Sequence, residues 1–193
     1  LSGFSLEGEV IVADNGSSDD STAIAKGAGA IVVEVKERGY GATLHQGILQ
    51  AKNEYILFAD GDESYRFSEG APFIHAFNQG YEIIIGNRYQ GGIEKGAMPF
   101  LHRYLGTPIL SGMGKKSFHV DLGDFNCGMR GIKKSIYIKL GMKSSGMEWA
   151  TEFIARAAYK KCRITEVPVR LHKDGRLRKP HLKTRSDGWK HLK

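Results

Sequence analysis

The 193-residue sequence has little cysteine: Cys127 and Cys162 are its only two. Two thiols cannot build a disulfide framework or a four-cysteine zinc site, and they fit a reducing compartment. The seven histidines are scattered without the paired spacing of zinc ligands. No apolar run approaches the ~18 residues of a membrane span; the longest candidates, Tyr55–Ala59 and Ile83–Ile85, are strand-sized. A signal-peptide pattern, an internal repeat and a low-complexity stretch are all missing. Glycine is in surplus, with 25 residues and no Gly-X-Y period, which points to tight turns and close backbone approaches. With 41% apolar and 25% charged residues, the chain reads as one folded α/β-sized domain.

The net charge of +7 is unevenly placed. Leu1–Val169 carries 19 basic and 19 acidic residues, whereas Arg170–Lys193 carries nine basic and two acidic ones. A neutral body with a cationic end suits a phosphate-rich partner, and the simplest alternative is a solvated tail. The expected organisation is a neutral folded body over 1–169 and a basic segment over 170–193.

Strand and helix patterns alternate along the body. Glu9–Ala13, Ala30–Val35, Tyr55–Ala59, Glu82–Ile85 and Arg163–Leu171 read as strands. Helices are expected over Thr22–Lys26, from Gly39 to about Lys52, around Phe73–Phe77, over Leu101–Met113 with a break near Pro108, and over Met147–Lys160. Gly86–Phe100 reads as a loop and Asp121–Gly131 as turns. Such alternation argues for a mainly parallel sheet covered by helices, with ligands at the carboxyl ends of the strands.

Asp60-Gly61-Asp62 is the sharpest feature. Carboxylates at i and i+2 after a strand share one side of the backbone, and Gly61 admits a ligand closely. Such hard oxygen donors suit Mg²⁺ or Mn²⁺ shared with substrate phosphates; the plain alternative is an Asp-Gly turn. Asp14 closes the first strand in the same way and is expected on the same sheet edge, able to accept from a base or ribose. Arg38-Gly39-Tyr40-Gly41-Ala42 opens a helix whose free N–H groups favour anions. Leu44 breaks the dinucleotide fingerprint that Gly39 and Gly41 begin. Glu148 and Glu152 share a helix face, as an exposed stripe or facing a site. Cys127 reads as a small buried residue rather than a nucleophile.

Taken in order, these residues resemble the family 2 glycosyltransferases of GT-A fold, in particular the polyprenyl-phosphate (dolichol-phosphate) sugar synthases. Val12–Thr22, Gly39–Ala42 with Gly47 and Ala51, and Tyr55–Tyr65 carry the resemblance. Gly86-Asn87-Arg88, Met98-Pro99, Asp124–Arg130 and Arg163–Pro168 continue it, and Gly92–Pro99 with Asp174-Gly175-Arg176 is similar to a bacterial membrane-linked subgroup. The family usually begins with a further strand and often continues into hydrophobic helices, so the chain reads as a fragment of a longer enzyme.

The resemblance implies a Rossmann-like three-layer sandwich with a mainly parallel central sheet. It implies inverting transfer of a hexose from a nucleoside diphosphate sugar to a polyprenyl phosphate, with Mg²⁺ or Mn²⁺ on Asp60 and Asp62. Asp14, Asn15, Arg38, Gly41 and Asp60 would contact the donor; Arg88, Arg130 and Arg176 would meet the acceptor phosphate. Asp124 would be the catalytic residue, orienting the acceptor or sugar. An inactive scaffold is one rival. A nucleic-acid-binding module is another, although three strand-end acids would repel phosphate and no nucleic acid is expected. Leu182, Trp189 and Leu192 fall on one helical face among Lys183, Arg185, Lys190 and Lys193, a pattern suited to an anionic membrane surface at its cytoplasmic face.

Overall fold

The computed structural model describes residues 7–98 and 107–175. In chain order the elements are β1 Ile11–Asp14, α1 Ser21–Gly27, β2 Ile31–Glu34, α2 Tyr40–Gln50 and β3 Tyr55–Phe58. A 3₁₀ turn (Phe67–Glu69), α3 Ala71–Asn78, β4 Ile83–Asn87, α4 Arg88–Gly91 and α5 Thr107–Phe118 follow. The described chain closes with β5 Arg130–Lys133, α6 Lys134–Leu140, α7 Trp149–Tyr159 and β6 Ile164–Pro168. Two compact units divide it. Of the described residues, the first holds those up to Ile56 with Lys134–Phe153; the second holds those between Leu57 and Lys133 and those from Ile154 to Gly175.

In the first unit β1 and β2 pair in parallel, Ile11 opposite Ile31 and Asp14 opposite Glu34. The crossover between them is α1, a short helix that begins without a side-chain hydrogen bond from its N-cap residue Asp20. The core of this unit is aromatic. Trp149 is fully buried and stacks on Phe153 at 4.9 Å between centroids. Its indole N–H donates to the Tyr137 hydroxyl at 3.3 Å, and that hydroxyl lies 3.0 Å from His45 Nδ1. Indole can only donate, so Tyr137 accepts from Trp149 and its own proton is left for His45. Truncating a buried Trp of this kind costs roughly 3–5 kcal/mol.

The second sheet has the order β3-β5-β4-β6. Ile83, Ile84 and Ile85 of β4 have no exposed surface, as a central strand covered on both faces demands. β6 pairs with β4 in parallel, Ile83 opposite Ile164, while β5 pairs with it antiparallel, Ile84 opposite Gly131. The expected mainly parallel sheet is therefore mixed, and the described strands fall into two sheets. Gly131 explains why β5 was read only as a turn region. It has no side chain to show the alternation, and a β-carbon there would sit 3.0–3.2 Å from the rings of Phe77 and Phe73. Pro108 lies at the start of α5 and interrupts nothing in the described helix.

Candidate functional site

β3 runs out at Phe58, and the chain turns at once through Asp60, Gly61 and Asp62. Both carboxylates are half-buried and Gly61 is exposed, with nothing within 4 Å of where its β-carbon would be. Asp62 accepts the Ser64 N–H on Oδ1 at 3.1 Å. A wall from the 124–130 turn backs Asp60: a β-carbon on Gly128 would lie 2.5 Å from an Asp60 carboxylate oxygen and 3.0 Å from the Tyr65 ring. The Gly128 N–H donates to the Tyr65 hydroxyl at 3.1 Å, and the Cys127 thiol lies 3.8 Å from the same oxygen. Burial first, then the neighbouring Cys127 and Asp60 groups, raises the Tyr65 phenol well above its ordinary pKa against the opposing pull of the Arg88 cation, so it stays neutral. Cys127 is wholly buried and its thiol is pushed up to about 11, which suits a packing residue and not a nucleophile.

Among the described residues no three His, Cys, Asp or Glu side chains are grouped to hold a metal ion. Asp60 and Asp62 supply two hard oxygen donors beside an open glycine. That set fits an ion that completes its shell with substrate phosphate and water, the usual habit of Mg²⁺, and of Mn²⁺ by the same ligand preference.

Arg88 and Asp124 are brought together and buried. The guanidinium donates to Asp124 through Nε at 2.6 Å and Nη2 at 2.7 Å, and the Arg88 backbone N–H adds a third bond at 3.1 Å. Asp124 has no exposed surface. Burial, the largest single influence, would lower the Arg88 pKa; the Asp124 hydrogen bond together with the neighbouring Tyr65, Asp124 and Cys127 groups raises it, so the guanidinium keeps its charge. Glu166 of β6 fixes the other side of the turn, accepting from Gly123 N at 2.7 Å, Asp124 N at 2.9 Å and Asn87 Nδ2 at 3.0 Å. Arg130 donates to the Cys127 and Phe125 carbonyls, each at 2.9 Å, and is 1% exposed. Arg88 and Arg130, expected at the acceptor phosphate, and Asp124, expected to orient acceptor or sugar, are thus buried and bonded to one another or to carbonyls of the turn. Arg176 lies outside the described residues.

In the first unit Asp14 accepts from Gly16 N at 3.0 Å and Ser17 N at 3.2 Å. The hydrogen bonds from Ser17, its side chain first, hold the Asp14 carboxyl below its ordinary value. Asn15 is a brace. Its amide donates to Val35 O (2.9 Å) and Glu37 O (2.7 Å) while its oxygen accepts Gly39 N at 3.0 Å. Arg38 is exposed, and its guanidinium lies over Gly16, 3.2 Å from a β-carbon there. Gly41 differs from expectation. The α2 N-terminus is not open to anions, because Gly41 N and Ala42 N donate to Gly146 O and Ser145 O. A β-carbon on Gly41 would meet Ser144 O at 2.4 Å, so the glycine is there for close packing. Glu152 accepts the backbone N–H groups of Lys143 and Ser144, and Glu148 that of Gly146.

The fold is of the GT-A type. Glucosyl-3-phosphoglycerate synthase from Mycobacterium tuberculosis, solved with Mn²⁺, UDP-glucose and phosphoglyceric acid, superposes with a TM-score of 0.63 at 16% identity. The superposition covers 94% of this chain and 65% of that one, and at this identity it speaks for the fold alone. The model of Glycosyl transferase family 2 matches residues 5–141, and the chain belongs to that family. It is 32% identical, over its whole length, to the low-salt glycan biosynthesis hexosyltransferase Agl6 of Haloferax volcanii, covering 46% of that protein. It is 27% identical to a dolichyl-phosphate hexose transferase of the same organism, over 83% of this chain and 68% of the relative. The chain spans about half the length of Agl6 and of the Haloferax glycosyltransferase AglJ.

Tyr65, Gly128 and Glu166 escaped the sequence reading as positioning residues. All three lie inside the segments that carry the family resemblance, but nothing local marks them as the residues that back Asp60 or fix the turn.

Proposed function

We propose that this chain transfers a hexose from a nucleoside diphosphate sugar to a polyprenyl phosphate, with inversion, using Mg²⁺ or Mn²⁺. The observation that carries the reading is the pair Asp60 and Asp62, half-buried at a strand end beside an open Gly61, with Asp60 backed by Gly128. The names of the polyprenyl-linked relatives support the acceptor class. When bound, the divalent ion supplies Lewis-acid stabilisation of the leaving diphosphate.

The chain's own groups do the rest. Asp60 and Asp62 would hold that ion with their carboxylate oxygens. Asp14 keeps acceptor capacity beyond its two turn N–H groups and takes a ribose or base hydrogen bond. Arg38, exposed above Gly16, lies ready for a donor phosphate. Asn15 and Gly41 act by fixing the loops around Asp14 and Arg38. Asp124 is a positioning residue: it keeps Arg88 charged and aligned, and Arg130 holds the turn. The acceptor, like other phosphomonoesters with a second pKa near ~6, is already an anion at neutral pH and needs orientation more than a base. The sequence from Arg176 onward supplies cations for that phosphate and for an anionic membrane surface on the cytoplasmic side. No helix of the described residues is long and apolar enough to cross a membrane.

The test is a screen of UDP- and GDP-sugars with a polyprenyl phosphate and Mn²⁺ or Mg²⁺, alongside calorimetry of nucleotide binding. Asp62→Ala is expected to abolish metal-dependent binding, with Asp60→Ala nearly as damaging. Unchanged affinity in both variants overturns the assignment.

A further inference from the structure

Directly after Asp62 the backbone does something costly. Glu63 takes φ +66°, in the left-handed region that non-glycine residues enter at ~1 kcal/mol or more. The peptide carbonyls on either side of it are both caught by one remote segment. Gly175 N donates to Asp62 O at 2.8 Å, and His172 N donates to Ser64 O at 3.0 Å. That segment, residues 171–175, is laced on its other side to the loop after α4. Leu171 N donates to Gly92 O, and Glu94 N to Leu171 O, both at 2.9 Å.

His172 is the fastening point. It is 9% exposed, with Nε2 3.0 Å from Glu69 and Nδ1 3.5 Å from Glu94. A neutral imidazole has one N–H and can satisfy one carboxylate; the protonated ring donates to both. Lys173 N–H also bonds Glu94 at 3.3 Å and, with His172, holds the Glu94 carboxyl below its ordinary value. Glu63, Tyr65, Arg66, Glu94, His172 and Lys173 together line a cleft of about 400 Å³. The sequence then continues from Gly175 straight into Arg176 and the basic segment.

We propose that His172 is a positioning residue: by pinning the 171–175 strap to Glu69 and Glu94 it holds Glu63 in its left-handed conformation, and so aims the Asp62 carboxylate. The inference rests on the reading of Asp60 and Asp62 as the metal-holding pair. It gives the Gly92–Glu94 loop and the chain leading to the basic segment a place in organising that pair.

The experiment has two readouts on the 193-residue chain. Hydrogen exchange follows the amides of Ser64, His172 and Gly175, which report the strap and the Asp62 side chain without any metal. Electron paramagnetic resonance of Mn²⁺ titrated with UDP reports the pair itself. His172→Ala is expected to speed exchange at these three amides by about tenfold or more, leaving Ile83–Ile85 unchanged. It should also weaken Mn²⁺–UDP binding by roughly threefold to tenfold. Adding Glu63→Asn, a residue that tolerates the left-handed region, should restore most of that binding while the strap amides stay fast. Should His172→Ala fail to fold, Glu69→Gln weakens the same fastening from the opposite side and is expected to act in the same direction. Wild-type exchange rates at the three amides, or a double variant no better than His172→Ala, overturn the proposal. A wild-type chain that binds no Mn²⁺–UDP overturns the proposed function instead, and the exchange arm still decides the strap.

Discussion

The turn after β1 and the turn around Asp124 both present an aspartate at a bend, and they are built in opposite ways. Asp14 is bonded within three residues, to Gly16 and Ser17, at an exposed position. Asp124 is bonded across 36 residues to Arg88, its turn across 42 to Glu166, and it is sealed from solvent. A local turn forms from its own sequence and leaves its carboxylate available to a ligand. A turn assembled from distant partners is rigid, because each charge depends on another that has also left water. The contrast places binding chemistry on the first kind and alignment on the second.

The sharpest way to break the comparison is Asp124→Ala. It strands the Arg88 charge in the interior and should cost about 3–5 kcal/mol in denaturant unfolding. The paired replacement Arg88→Met with Asp124→Leu should cost far less, since no charge is left unmatched. Equal losses in the single and double variants would show that the turn does not depend on the ion pair.

Gly128→Ala comes next. Its methyl group has to displace the Asp60 carboxylate or the Tyr65 ring, which should cost about 1–3 kcal/mol. A loss of Mn²⁺-dependent nucleotide affinity is expected with it. A variant of wild-type stability and affinity would mean that the wall behind Asp60 yields freely.

Asp14→Asn should move stability by less than about 1 kcal/mol at neutral pH. The sign of its pH dependence follows from its lowered pKa. The carboxylate's contribution is present above the ordinary carboxylate range and is lost as pH falls through the folded value. Wild type should therefore shed slightly more stability than the variant between about pH 5 and pH 3 in parallel urea titrations. Nucleotide binding should weaken in this variant even without metal, and a loss that disappears on chelation would place Asp14 in the metal shell.

The smallest effect concerns the thiols. Cys127, sealed and with its pKa raised to about 11, should resist a thiol reagent at neutral pH, whereas the half-buried Cys162 should react first. Labelling followed by peptide mass spectrometry checks the order.

Elements with a strong period were legible. β1 to β4 with their helices were read to within two residues, because a buried strand such as Ile83–Ile85 and a run bounded by Asp or Gly announce themselves in composition. β5 and α6 were not, since Gly131 hides the alternation and Lys134 starts its helix without a break. Of the site, Asp14, Asp60 and Asp62 were legible as strand-end acids. The internal commitments of Asn15, Gly41 and Arg88 were not, because whether a polar group is free is decided there by partners 20 to more than 100 residues away.

By itself the sequence determined the α/β alternation, the strand-end placement of the carboxylates and the family, since local period and motif order are properties of the chain alone. Tertiary structure alone decided which charges are spent on the fold and which are left for chemistry. Arg88 and Asp124 neutralise each other only once burial brings them together. Glu63 holds its left-handed turn only because His172 and Gly175 capture the carbonyls beside it. Such pairings arise when non-local groups leave water together, and no window of neighbouring residues records them.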